Sequence, residues 1–290
     1  MTTVESAPAP AAFRPTRTFS VWTECRRQAT RRRTQFALGF MVALPLIILG
    51  AFEFGGGDER RGGRRSDFAS VVDAATSGGL NFALFTLFVS ASFLLIVVVA
   101  LFHGDTVASE ANWGSLRYLL AIPVPRGRLL GVKLTVAMLY SALAMLLLFG
   151  TALGAGTARY GWSALRSDIA GEIAAGPALL RLLGILGYLA VSLLVVASLA
   201  FLLSVSTDAP LGAVGGAVLL TIVSSILDQI TALGDLRNYL PSHYSGAWLG
   251  LLSTPMQIGQ IVRGCIVALT YAVVFFSLAW WRFLRKDVVS

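Results

Sequence analysis

Two short groups of residues have types and spacing suited to chemistry. In Ser242-His243-Tyr244-Ser245-Gly246 a hydroxyl, Ser245, stands two residues from an imidazole. A serine hydrolase needs such a base within hydrogen-bond reach of the hydroxyl, and an oxyanion hole besides. Spacing within one short segment supplies neither, and a polar surface loop accounts for the same residues. His103, Asp105 and Glu110 form the second group. Imidazole and carboxylates are zinc ligands, yet one histidine with two loop acids makes a poor site. The plainer reading is a solvated helix end whose acids meet a partner's arginines. Asp208, beside Thr207 and Pro210, fits a helix cap between two apolar runs. Asp228 closes an apolar run and could carry a proton if it faces a cavity. Cys25 and Cys265 have no metal or redox spacing, and no metal site is expected. A phosphate-binding loop needs a glycine-rich turn followed by lysine. The two lysines, Lys133 after Val132 and Lys286 after Arg285, do not fit it. This chain is therefore expected to hold no cofactor and to be no enzyme; any ATP hydrolysis would belong to another chain.

The elements that must position these residues are mostly apolar. Of 290 residues, 56% are hydrophobic and only 13% charged, about half the charge of an ordinary soluble domain. A net charge of +8, nearly all arginine, suits anionic lipid or nucleic acid, and the hydrophobicity decides for lipid. Six strongly apolar stretches are long enough to cross a bilayer as helices (about 18 residues or more): Thr34–Phe52, Ala74–Gly104, Leu134–Ala158, Leu182–Thr207, Ala209–Leu227 and Gly264–Trp281. A seventh, Asn238–Val262, is interrupted by Pro241, Pro255 and many polar residues. It reads as a re-entrant or interfacial pair of short helices buried in protein. The expected fold is an all-α membrane protein of six transmembrane helices, with an N-terminal interfacial helix and a short outer helix pair before the last span.

Basic residues favour the cytoplasmic side. With the N-terminus inside, cytoplasmic segments hold 14 of the 23 basic residues, which places both termini in the cytoplasm. Arg60, Arg61, Arg64 and Arg65 dissent, though Glu53, Asp58, Glu59, Asp67 and Asp73 neutralise them. The expected organisation is a disordered tail over 1–16, a basic helix on the inner leaflet over 17–35, a six-span transmembrane domain over 36–284 with a cytoplasmic loop over 103–133, and a cytoplasmic tail over 285–290. Val107–Ile122 can be helical until Pro123 and Pro125 stop it. Trp162, Leu165, Ile169 and Ile173 suit a short amphipathic helix on the outer surface. The pairs Gly150/Gly154 and Gly212/Gly216 suit tight helix packing within the chain.

The cytoplasmic loop reads Ser109-Glu110-Ala111-Asn112-Trp113-Gly114-Ser115-Leu116-Arg117-Tyr118-Leu119-Leu120-Ala121-Ile122-Pro123-Val124-Pro125-Arg126-Gly127-Arg128-Leu129-Leu130-Gly131-Val132-Lys133. It resembles the ABC type 2 exporter permeases, where a Glu is followed by Gly-Thr-Leu-Arg, Leu-Leu, Pro-Val-Ser-Arg and Leu-Leu-Gly-Lys. Ser115 replaces the Thr, Pro125 the Ser, and Val132 separates Gly131 from Lys133. The resemblance implies a permease subunit in the bacterial plasma membrane that pairs with a second permease chain, identical or not, and with separate ABC ATPase subunits carrying ATP and Mg. Glu110–Leu120 would then be the coupling helix, with Glu110, Trp113, Gly114, Ser115, Leu116, Arg117, Leu120, Pro123 and Arg126 at the ATPase contact. Independently of any family, a short helix stopped by two prolines and anchored to two spans can act as a rigid lever. Trp113, Leu116 and Leu120 give it apolar contacts at spacings of three and four, and Gly114 allows close approach.

Two rival classes remain open at this point: a secondary transporter driven by an ion gradient and an intramembrane enzyme. Phe82, Phe85, Phe88 and Phe93 would suit a hydrophobic drug or lipid as cargo, and equally packing against lipid. The six-span reading makes a direct prediction. A reporter fused after Ser290 is active only in the cytoplasm; activity only on the outside would mean seven spans, with Asn238–Val262 crossing.

Overall fold

The computed structural model of the chain describes residues 20–55, 67–112, 125–167 and 171–285. The tail over 1–16, the arginines Arg60 to Arg65 and residues 286–290 lie outside the described residues, as do Trp113 to Val124. In order come α1 (Val21–Ala29), α2 (Arg32–Gly55), α3 (Asp67–Thr76), α4 (Gly79–Ala91), α5 (Leu94–Asn112), α6 (Arg126–Tyr160), a two-stranded hairpin of β1 (Leu165–Ser167) and β2 (Gly171–Ile173), α7 (Ala175–Ser192), α8 (Leu194–Ser206) and α9 (Pro210–Asp228). Three 3-10 turns follow, η1 (Thr231–Tyr239), η2 (Pro241–Tyr244) and η3 (Ala247–Leu251), before α10 (Ile258–Arg285).

Among the described residues six helices are long and apolar enough to cross a membrane, with α7 and α8 counting as one. Burial divides them. The most apolar windows of α5, α7–α8 and α6 are 67%, 61% and 50% buried, against 11% for α2, 11% for α9 and 17% for α10. The first three therefore form the centre. Around it α2 and α4 pack on α6, α9 packs on α5 and α8, and α10 packs on α8. The outer helices present Phe36, Ile47, Phe54, Leu211, Leu219 and Val273 outward. A continuous apolar exterior of this extent would associate in water, and it matches the hydrocarbon of a bilayer. The chain is a multi-pass α-helical membrane protein.

The bundle has two distinct ends. Residues Glu24 to Arg33, Asp105, Glu110 and Lys133 meet at one, the basic end. The β-hairpin and the 3-10 turns lie at the other, the hairpin end. Both chain ends among the described residues fall at the basic end, where Arg126 Nη1 donates to the Leu284 carbonyl at 3.3 Å.

Several expectations are corrected. The second apolar stretch is not one straight helix: α4 and α5 meet at Ser92 and Phe93, and α5 runs on to Asn112. Residues His103 to Asn112 and Arg126 to Lys133 are thus helical stems, so the connection is far shorter than 103–133. The α7–α8 span bends similarly at Leu193. Ser92 and Leu193 keep right-handed helical dihedrals, so these are kinks in a continuous helix rather than unwound segments. The amphipathic helix expected after Arg159 is instead the hairpin, with Leu165 opposite Ile173 and both buried; Ile169 lies outside the described residues. Two apolar residues facing one another across a hairpin mimic helical spacing when read along the chain. Asn81 fixes the hairpin by copying a strand partner: its Nδ2 donates to the Arg166 carbonyl at 2.6 Å and its Oδ1 accepts from Arg166 N–H at 3.0 Å. The broken segment before the last span holds the expected pair of short helices as the 3-10 helices η2 and η3, with η1 ahead of them. Pro210 begins α9 with Ala209 at the cap position, so Asp208 is not the cap residue. Gly216 packs on Leu203, as an internal contact requires, whereas a Cβ on Gly150 or Gly154 would meet nothing within 4 Å.

Gly79 marks the tightest helix approach near the hairpin. A Cβ there would lie 2.6 Å from Thr157 Cα and backbone N of α6. Gly79→Ala is expected to cost about 1–3 kcal/mol, whereas Gly150→Ala leaves stability unchanged or raises it by up to about 1 kcal/mol. Thermal unfolding of the two variants in the same detergent checks the contrast.

Candidate functional site: a buried ionic cluster at the base of the α5–α6 connection

The largest concentration of charge within the bundle joins four elements at the basic end. α1 begins at Ser20, whose Oγ accepts from Trp22 N–H at 3.2 Å, and carries Glu24 and Arg27 one turn apart. Arg31 and Arg33 bracket the start of α2. The corner between the two helices is closed by Gln35 Nε2, which donates to the Ala29 carbonyl at 3.0 Å. α5 supplies Asp105, Ser109 and Glu110, and α6 supplies Lys133.

Lys133 is 2% exposed, and its Nζ reaches Glu24 Oε1 at 3.1 Å and Glu110 Oε1 at 3.2 Å. Arg31 is a two-headed bridge: Nη1 reaches Asp105 Oδ2 at 3.0 Å and Nη2 reaches Glu110 Oε1 at 3.2 Å. Arg27 pairs with Glu110 and with Glu24, and Arg33 pairs with Asp105. Asp105, Glu24 and Glu110 are all buried. Three carboxylates thus face four cations, and no buried carboxylate among them lacks a counter-ion. Two neutral bonds extend the contact. Tyr140, two turns along α6 from Lys133, donates to the Cys25 carbonyl at 2.8 Å, and Ser109 Oγ donates to the Asp105 carbonyl at 2.6 Å.

Burial pushes the Arg31 guanidinium below its ordinary pKa and Asp105 pulls it back up; a guanidinium remains charged throughout. Burial, and then the Glu24 carboxylate, push the Cys25 thiol up, which keeps it protonated and unreactive. Charges removed from water are costly unless each is paired and bonded. Within these limits the cluster can clamp. It fixes α1 against the facing stems of α5 and α6, on either side of residues 113–124.

The expected coupling residues divide accordingly. Trp113, Gly114, Ser115, Leu116, Arg117, Leu120 and Pro123 lie outside the described residues. Glu110 turns its carboxylate into the chain's own cations and is 4% exposed. Arg126 holds the end of α10. α1 lays Glu24 and Gln28 on the bundle, while Arg26 is exposed and Trp22 points outward, 76% exposed.

The metal reading of His103, Asp105 and Glu110 fails on the same geometry. The two acids are bound to arginines and lysine, His103 Nδ1 is tied to the Val99 carbonyl at 2.9 Å, and among the described residues no group of three could hold a metal. His243 does not meet Ser245 either; its Nδ1 bonds Asp228 Oδ1 at 2.7 Å. Sequence reasoning missed Glu24, Arg27, Arg31, Arg33 and Lys133 as partners. The available signals were a lone acid amid basic residues, and a lysine followed by an unbroken apolar run.

Lys133→Met leaves the buried Glu24 with only the partly exposed Arg27 as its partner and is expected to destabilise the chain by up to about 3 kcal/mol. Glu24→Gln in the same chain recovers a large part of that loss. A double-mutant cycle on thermal unfolding in detergent measures the coupling, and additive losses would mean that the two residues are independent.

A protein of Bacillus subtilis (strain 168), described as "Uncharacterized protein YhcI", is similar to this chain, 26% identical over 240 residues that cover 78% of this chain and 72% of that one. Residues 37–289 match the family model described as "Protein of unknown function (DUF2705)". That match takes in most of α2, the other five spans and the α5–α6 connection, and the chain belongs to this family.

Proposed function

We propose that this chain is the membrane-spanning permease subunit of an ATP-driven exporter of the ABC type 2 kind. Two such chains would form the pathway in the bacterial plasma membrane, with both termini cytoplasmic, and separate ATPase subunits would carry ATP and Mg. The observation that carries this reading is the ionic cluster at the root of residues 113–124. A segment that must pass a partner's motion to the spans needs a stiff mounting, and here both of its stems are locked to α1 and to one another by charged contacts in a protected site. The motif across 109–133 gives the segment its family likeness, and Trp113, Leu116 and Leu120 give it apolar residues for a docking groove. Glu110 is assigned to the mounting rather than to the ATPase contact. The cargo in this reading is a hydrophobic small molecule or lipid.

An ion-driven carrier would favour unwound half-helices at mid-membrane. The kinks at Ser92 and Leu193 keep helical dihedrals, which weakens that alternative.

Purification of the tagged chain in mild detergent from its native host, followed by mass spectrometry, tests the reading. A P-loop ATPase is expected with the parent and is lost with Leu116→Asp, whose substitution leaves the ionic cluster untouched. A well-folded parent that brings down no ATPase would overturn it.

A further inference from the structure

At the basic end, outside the ionic cluster, the start of α6 lies against the last turns of α10. Gly127 and Gly131 stand one helical turn apart on α6 and make a flat strip for an aromatic ring. A Cβ on Gly127 would stand 3.3 Å from Trp280 Cζ2, and one on Gly131 3.5 Å from Trp280 Cη2, so the indole covers both glycines. One turn further along α10, Arg126 Nη1 donates to the Leu284 carbonyl and closes the seam.

The charges on the two facing turns are of one sign. The first turn of α6 holds Arg126 and Arg128 and no acidic residue, and the last turn of α10 holds Arg282 and Arg285. Arg128 differs from the cations of the ionic cluster. Each of those meets a carboxylate, whereas the Arg128 Nε is buried without a hydrogen-bond partner. Among the described residues no carboxylate pairs with Arg128 or Arg285. Arg285 stacks instead on the Trp281 ring, 4.6 Å from its centroid. A part-buried guanidinium without an acceptor is costly, so Arg128 calls for an anion from outside the chain. Its place on α6 says which kind. Thr135, Leu139 and Leu146 fall on the same face by helical spacing, and all three are exposed. A molecule that meets Arg128 on this face needs an anionic group at the basic end and hydrocarbon along the span.

We propose that Arg128 and the Trp280 indole N–H hold the phosphate of an anionic phospholipid at the seam of α6 and α10, with an acyl chain along Leu139 and Leu146. The guanidinium presents two parallel N–H donors that match phosphate oxygens. Trp280 is 37% exposed, and among the described residues its N–H has no acceptor. An indole packed on one side and open on the other suits the level of the headgroups. Arg285, next to the Leu284 carbonyl that Arg126 holds, adds positive charge that favours a net negative lipid over a zwitterionic one. This site concerns the bilayer contact and stands whether or not an ATPase drives the chain.

Native mass spectrometry of the full chain in mild detergent, titrated with dioleoyl phosphatidylglycerol or dioleoyl phosphatidylcholine, tests it. The first phosphatidylglycerol is expected to bind about tenfold more tightly than the first phosphatidylcholine. Arg128→Gln weakens phosphatidylglycerol binding about tenfold. Trp280→Phe keeps a ring on the glycines and weakens it about threefold. Arg237→Gln removes the same charge at the hairpin end and leaves it unchanged. Equal affinity for the two lipids, or an equal loss in Arg237→Gln, would overturn the site. So would an unchanged affinity in Arg128→Gln, or in Trp280→Phe where Arg128→Gln does not fold. Release of phosphatidylglycerol by equimolar inorganic phosphate would also overturn it, since the ligand would then be a free anion.

Discussion

A carboxylate held away from water must have its counter-charge beside it, and that requirement organises the basic end of this bundle. Glu24, Asp105 and Glu110 come from two helices, and the cations that satisfy them come from α1, the start of α2 and α6. Moving α5 away from α1, α2 or α6, or α1 away from α6, breaks at least one of these ion pairs. Apolar packing can slide by fractions of an ångström at little cost, whereas a network of this kind admits few arrangements. It therefore sets the register of α5 against α6, and the Phe102–Tyr140 ring contact at 5.8 Å continues the same register further along the two helices. At the far end neutral groups (the Asn81 amide, the Tyr188 hydroxyl and the Ser224–Ser242 pair) share the job with the Arg159–Glu53 ion pair between the ends of α2 and α6.

This division gives the two ends different mechanical characters. The basic end is charged, buried and cross-linked several times over, as befits a base that must not yield. The hairpin end is assembled from short turns joined by a few hydrogen bonds, and η2 meets α9 through the Ser242–Ser224 and His243–Asp228 contacts. Between them, α5 and α8 form the most buried spine, stitched by Ser204 Oγ, which accepts from the Val107 and Ala108 N–H groups at 3.0 Å each.

Much of the fold was legible in the sequence because bilayer thickness sets a length that apolar runs either meet or miss. The six spans, and the failure of Asn238–Val262 to be a seventh, follow from run length and from Pro241 and Pro255. The hairpin was not legible, since Leu165 and Ile173 satisfy a helical spacing as well as a strand pairing. The kink at Ser92 had no glycine or proline to announce it. The ionic cluster was hidden for another reason. Arg27, Arg31 and Arg33 carry the composition of a lipid-facing basic helix, and only the three-dimensional meeting with Asp105, Glu110 and Lys133 shows that their charge is spent inside the chain.

The buried polar face of α1 adds to what holds it in place. Helices that rest on a membrane through surface arginines are attracted by anionic headgroups, and dissolved ions weaken that attraction over distances of about 8–10 Å. α1 offers Trp22 outward and keeps Glu24 and Gln28 buried against the bundle. Mobile ions have little access to the Glu24–Lys133 contact, so this part of the attachment of α1 depends little on ionic strength, while the exposed Arg26 and Arg32 keep an electrostatic attraction of the first kind.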